Sequence, residues 1–305
     1  CEATRRKPRS RNAAVEADRR AFCQQCFMAE HMLEHEHLLD PKILGAGGFG
    51  VVQRAVQVRT GNPCALKSVT LNQKCDALMV EQEARVQMSL DHPHVCKLLA
   101  HFSSRVTGYL AFELCNAGDL AVFLDNEGYV SDRDISFYMV QLLDAIAYIH
   151  SLGVMHRDVK PQNVLLSLKD GDFRFHLKLA DFGLSGACPP GGSLRGAGTV
   201  PYMAPEQLVG FCNESCDAWA CGCILFELLF PGQPLLRSNG KTREQALRFL
   251  RSPAFEEEVG RADWAECMFA GFIGKGLVGR ELLWGLLSRE WSTRLSAEGA
   301  LRIMG

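Results

Sequence analysis

The rhythm of hydrophobic and polar positions changes partway along the chain. From Asp40 to Val69, short runs of β-type residues are separated by turn signals: Gly45 to Gly50, then Val51-Val52-Gln53-Arg54-Ala55-Val56-Gln57-Val58, then Thr60-Gly61-Asn62, then Cys64-Ala65-Leu66-Lys67. That alternation predicts an antiparallel meander. Asp76 to Leu90 reads as a helix in which Met79, Glu83, Val86 and Leu90 fall at intervals of four, three and four, which puts Glu83 on the apolar face. A carboxylate buried there needs a cation as partner. Cys96 to Phe102 and Tyr109 to Leu114 read as strands flanking a turn at Thr107-Gly108. Beyond them the period lengthens. Ser131 with Asp134 three positions later forms a capping-box pattern, opening a helix with Ile135, Met139, Leu142, Leu143, Ile146 and Ile149 on one stripe. Further helices are predicted over Ala218 to Phe230, Thr242 to Leu250 and Glu281 to Ser288, so a small β-rich lobe precedes a larger helical one and the class is α+β.

Composition narrows the picture by exclusion. With 47% hydrophobic and 22% charged residues over 305 positions, the chain can bury the core of one large domain or two lobes, and disorder throughout is ruled out. Its 33 Lys and Arg against 35 Asp and Glu leave a formal charge of −2, which gives no sign of a nucleic-acid or membrane-surface binder. The most apolar run, Ala218 to Phe226, is interrupted by Glu227 well short of the roughly 20 residues that span a bilayer, so no membrane span is expected. Thirteen cysteines in irregular positions read as free thiols of a reducing, intracellular compartment, cytoplasmic or nuclear. Residues 1–37 stand apart as a basic tail and pre-domain segment, with Arg5, Arg6, Lys7, Arg9, Arg11, Arg19 and Arg20. In it, Cys23 and Cys26 followed by His31, His35 and His37 match part of a zinc-knuckle spacing, or equally a helix leading into the domain. Because it opens on Cys1 rather than methionine, the chain reads as a fragment or processed form.

The chemistry is carried by motifs in a fixed order. Gly45-Ala46-Gly47-Gly48-Phe49-Gly50-Val51-Val52 fits G-x-G-x-x-G-x-V; the glycines alone would also suit a dinucleotide-binding fold, but here they lead into strand residues rather than a helix. Lys67 follows in the next strand but one, where a nucleotide-binding hairpin needs a cation for phosphate. Then come His156-Arg157-Asp158-Val159-Lys160-Pro161-Gln162-Asn163, Asp181-Phe182-Gly183, Ala204-Pro205-Glu206, and Asp217-Ala218-Trp219-Ala220-Cys221-Gly222. On these motifs the chain resembles the eukaryotic protein kinase catalytic domain, serine/threonine branch, from about Leu38 to Gly305.

The resemblance implies a bilobal fold, with a smaller lobe over 38–115 and a larger one over 116–305. It implies transfer of the γ-phosphate of Mg²⁺-ATP to Ser/Thr hydroxyls of protein substrates. Gly45, Gly47 and Gly50 would close backbone N–H groups over the phosphates, and Lys67, oriented by Glu83, would bind the α- and β-phosphates. Val52, Ala65 and Leu165 would sandwich the purine, Glu113 and Cys115 would offer backbone hydrogen bonds to adenine, and Asp119 would reach the ribose. Asn163 and Asp181 would hold Mg²⁺, Asp158 would accept the substrate proton, and Lys160 would contact the γ-phosphate. Thr199 would hydrogen-bond Asp158, and Arg294 would pair with Glu206. Arg157 beside Asp158 implies an upstream activating kinase as partner, with Ser193 as the acceptor and a constitutively active loop as the alternative. Three features depart from the pattern: Gln87, four residues after Glu83, stands where the family has Leu or Met, the Lys169-Asp170-Gly171-Asp172 turn is enlarged, and Trp291 takes the place of the usual proline before Arg294. A pseudokinase scaffold without turnover is the alternative. The intact Lys67, Asp158, Asn163 and Asp181 argue against it. A small-molecule phosphotransferase would be expected to lack the Ala204-Pro205-Glu206 segment and the Asp217 helix.

Overall fold

The computed structural model describes residues 37–47, 50–72, 74–104, 106–169, 171–187, 197–236, 242–260 and 277–305. The cysteine and histidine cluster at Cys23 to His35 and the candidate phosphosite Ser193 lie outside them. The chain divides into two compact units: one comprises the described residues up to Ala84 together with Leu98–Leu114, the other Arg85–Lys97 and the described residues from Cys115 onward.

The first unit is a five-stranded antiparallel sheet. Strands β1 (His37–Gly47), β2 (Gly50–Gln57), β3 (Pro63–Thr70), β4 (Leu98–Ser103) and β5 (Thr107–Glu113) are ordered β1-β2-β3-β5-β4. Helix α1 (Lys74–Met88) follows β3. One face of the sheet buries Ala55, Cys64, Leu66 and Ala111; Leu98 and Leu110 on the other pack with Val80 and Ala84 of α1. Paired residues of adjacent antiparallel strands share a face. Lys67 pairs with Leu110 in β5 and with Val52 in β2, so register alone carries the lysine to the helix side of the sheet. Glycine is required at 108, because a Cβ there would come 2.9 Å from Val80 Cγ1 of the helix.

The helix corrects one expectation. Its buried positions are Val80, Glu83, Ala84 and Gln87, whereas Met79 is exposed. The inward stripe thus contains two polar residues, and counting apolar side chains placed Glu83 rightly but Met79 on the wrong side.

The second unit is mainly helical. Helices α2 (Leu120–Asn126), α3 (Asp132–Ser151), α4 (Pro205–Leu208), α5 (Ser215–Leu229), α6 (Arg243–Leu250), α7 (Pro253–Gly260), α8 (Leu277–Leu286) and α9 (Ala297–Met304) share it with two small antiparallel strand pairs. These are β7 (Val164–Ser167) with β8 (His176–Leu179) as a true hairpin, and β6 (Val154–Met155) with the remote β9 (Gly186–Ala187). Ser131 caps α3 as expected: its Oγ accepts from the Asp134 N–H at 3.2 Å and donates to Asp134 Oδ2 at 2.5 Å. Helix α5 is buried all round, every residue from Cys216 to Leu229, with Asp217 and Glu227 as its charged members, as befits the central post of a core. Gly222 lets it pack closely, since a Cβ there would meet Leu287 Cδ2 at 2.8 Å. The enlarged β7–β8 turn is held at its base by Asn116, which donates to Leu168 O and accepts from Leu168 N–H. Among the described residues no helix is long and apolar enough to cross a membrane.

Candidate active site

In the first unit Lys67 Nζ lies 2.8 Å from Glu83 Oε1, with both side chains about nine-tenths buried. Val52 and Ala65 share the sheet face of Lys67, by the pairings Val52 with Lys67 and Ala65 with Phe112. Gly47 pairs with Gly50 across the β1–β2 hairpin. Gly50 has φ +117°, and a Cβ on it would strike Ser68 O at 2.2 Å, so this glycine is demanded by the neighbouring strand. A Cβ on Gly45 would meet nothing within 4 Å, which leaves its backbone open to approach. Glu113 ends β5.

In the second unit the loop from His156 to Asn163 is bolted to the start of α5. Asp217, buried, accepts from the backbone N–H of His156 at 2.9 Å and of Arg157 at 2.8 Å, and its Oδ2 lies 2.8 Å from His150 Nε2. Burial would raise the Asp217 pKa; the His150 hydrogen bond, the nearby histidine charges and the His156 N–H outweigh it and hold the carboxylate below its usual value. Anchored this way, Arg157 takes a left-handed conformation (φ 69°). The next residue, Asp158, is buried and has both oxygens engaged. Thr199 Oγ1 donates to Oδ1 at 2.7 Å and Lys160 Nζ to Oδ2 at 2.6 Å, while Lys160 also donates to Thr199 Oγ1 at 2.8 Å. This closed triangle joins residues 41 positions apart. Gly198 makes the approach possible, because at its φ of +126° a Cβ would lie 2.6 Å from Arg157 O. Gln207 completes the junction by donating to Arg157 O and Ala197 O.

Asn163 sits in a 3-10 turn and donates through Nδ2 to Asp158 O at 2.8 Å. Its backbone carbonyl accepts from Ala180 N–H at 2.8 Å, which sets the residue before Asp181 beside it. Asp181 has φ 62° and opens a short 3-10 turn whose Phe182 is buried edge-on against His156 at 4.8 Å. A carboxylate and a carboxamide oxygen form a hard-donor set that suits Mg²⁺, an ion that keeps waters and takes substrate phosphates as further ligands. Among the described residues no three His, Cys, Asp or Glu side chains converge to cage a metal by themselves. Asp119 caps α2, accepting from Val122 N–H at 3.0 Å, and bridges through its backbone to Leu165. Cys115 is a half-buried free thiol.

Glu206 and Arg294 form the bidentate pair expected of them, at 2.5 and 2.9 Å, with the Arg294 side chain wholly buried and its guanidinium 5.0 Å from the Trp219 ring. Residue types alone did not disclose His150, Gly198 or Gln207. Each acts through a contact remote in sequence. Burial pushes the thiols of Cys221 and Cys223 up, so both stay protonated.

Beside this site Tyr202 donates its hydroxyl to Glu227 Oε1 at 2.8 Å. Burial, with a further push from Asp125, raises the Glu227 pKa to about 7 against the opposing Tyr202 hydrogen bond. A raised carboxyl pKa stabilises the fold most below the unfolded value and loses that contribution as pH climbs through the folded one. Glu227→Gln should therefore gain stability relative to the parent between pH 5 and pH 8, by on the order of 2 kcal/mol. Denaturant melts at the two pH values check it; a constant difference would contradict the assignment.

Comparison with known proteins gives the arrangement its context. The family model described as "Protein kinase domain" matches residues 39–303. An Aurora kinase of Candida glabrata is 36% identical over 203 residues, covering 65% of this chain and 55% of that protein. Calcium-dependent protein kinase 5 of Plasmodium berghei is 31% identical, covering 73% and 39%, and serine/threonine-protein kinase 33 of Mus musculus is 32% identical, covering 65% and 43%. The chain thus spans about half, or less, of the length of these relatives. With the family model spanning nearly all of the described fold, the α+β architecture and the motif order find one common explanation: this chain belongs to the protein kinase domain family.

Proposed function

We propose that the chain is a serine/threonine protein kinase acting with Mg²⁺-ATP on protein substrates. The observation that carries this reading is the Asp158–Lys160–Thr199 triangle, which holds a carboxylate, an ammonium and a hydroxyl within 2.8 Å of one another. Asp158 accepts a hydrogen bond from the substrate hydroxyl, aims its oxygen and takes its proton. Lys160 stands ready to offset charge on the transferring phosphoryl group, and its position two residues after Asp158 is the mark of the serine/threonine branch. In the first unit, Lys67 binds phosphate oxygens, Glu83 fixes the ammonium's direction, and the backbone at Gly45, Gly47 and Gly50 offers N–H donors. Val52 and Ala65 give apolar contact to the purine and Glu113 a backbone hydrogen bond. In the second unit, Leu165, Cys115 and Asp119 serve the nucleotide, and the oxygens of Asp181 and Asn163 hold Mg²⁺. Held there, the ion would supply positive charge to stabilise the charge that develops on the transferring phosphoryl group. The buried, free thiols favour a reducing intracellular setting. Incubation with Mg²⁺-ATP and a degenerate Ser/Thr/Tyr peptide library should give phosphoserine and phosphothreonine. Transfer to tyrosine alone, or none, would overturn the reading.

A further inference from the structure

Strand β8 ends two residues before Asp181, and its outer edge is braced by a short segment of extended chain. His94 O accepts from Leu179 N–H at 2.8 Å, Cys96 N–H donates to Leu179 O at 2.8 Å, and Val95 bridges Leu179 in parallel. On the same edge, Gln141 accepts from Leu177 N–H, while His94 Nδ1 meets Leu177 O. What braces the brace is Gln87. It is 1% exposed, in the last turn of α1, and its Nε2 donates to Cys96 O at 2.9 Å. Among the described residues its buried Oε1 meets no hydrogen-bond donor. A buried carboxamide oxygen without a partner offsets the hydrogen bond made by the other end of the group, so Gln87 adds little net stability over a hydrophobic isostere. Its place in the core thus has to be explained by what the bond positions.

We propose that Gln87 is a positioning residue for the metal-binding Asp181. Its carboxamide ties the end of α1 to Cys96 O; the Cys96 N–H holds Leu179 O, and Ala180 N–H, in the next peptide unit, reaches Asn163 O, so one line of hydrogen bonds runs from Gln87 to the two segments that carry the candidate Mg²⁺ ligands. The role rests on the kinase reading given above. Gln87→Met and Gln87→Leu keep the volume and remove donor and orphan together, so either variant that folds serves as the test. Without the tether, amide hydrogen exchange over residues 94–97 and 177–181 should quicken about tenfold or more, while thermal midpoint and exchange elsewhere stay at parental values. In the same preparations the Mg²⁺ concentration for half-maximal phosphotransfer should rise several-fold and kcat should fall, with KM for the peptide unchanged. Parental exchange in both segments overturns the tether. Faster exchange with unaltered Mg²⁺ dependence overturns the positioning role, as does a fall in thermal midpoint with loosening throughout, which marks a packing residue. If the parent itself transfers no phosphate, the kinase reading fails on its own account, and the exchange measurement still decides whether Gln87 holds the segment.

Discussion

Replacing Asp158 with asparagine should lower turnover on the order of 10²-fold or more while leaving nucleotide affinity within a few-fold of the parent. Geometry explains why so conservative a change is severe. Both carboxylate oxygens accept, one from the Thr199 hydroxyl and the other from the Lys160 ammonium. A carboxamide has a single oxygen, so its NH₂ must face one of those donors, and the triangle opens whichever way the amide turns. Asn163 Nδ2, 3.3 Å from Oδ2, would add a second donor on the same side. The proton acceptor is lost as well. Phosphate and purine, by contrast, are assigned to other residues, and the nucleotide dissociation constant measured by titration should hold. Parental turnover in Asp158→Asn would show that the catalytic loop has been assigned wrongly.

Arg294→Met should destabilise the second unit by about 3–5 kcal/mol, the expected effect of leaving Glu206 charged and buried without its partner. For a unit of this size that corresponds to a fall in thermal midpoint on the order of 10 °C. The guanidinium also donates to Ser215 O and Ser288 O, so the substitution strips the start of α5 and the segment before Arg294 of shared donors. Arg294→Lys restores the charge without the planar fork and should recover only part of the loss. The double variant Glu206→Gln with Arg294→Met removes the stranded charge and should be more stable than Arg294→Met alone. Calorimetry on the parent and the three variants decides the matter: equal midpoints for parent and Arg294→Met would mean that the pair contributes nothing.

The order of elements and the identity of nearly every chemical group were legible in the amino-acid sequence. Two-residue alternation marked β2 and β3, the 3.6-residue stripe and Ser131 marked α3, and glycine and proline punctuated the rest, because these preferences act between residues at most four apart. Motifs then named Lys67, Asp158, Asn163 and Asp181 by type and order. What local pattern could not carry was which remote groups would meet. Strand register, not periodicity, turned Lys67 towards Glu83, sixteen positions away, and left Met79 exposed although its side chain is the more apolar. His150 and Gln207 looked like ordinary polar residues until folding brought one onto Asp217, 67 positions on, and the other onto the Arg157 carbonyl, 50 positions back. Gln87 looked like a simple departure from an apolar position, and only the tertiary contacts gave its carboxamide a partner in Cys96. A buried polar group takes its meaning from whichever donor or acceptor packing delivers to it, and that delivery depends on the whole core rather than on neighbours in sequence.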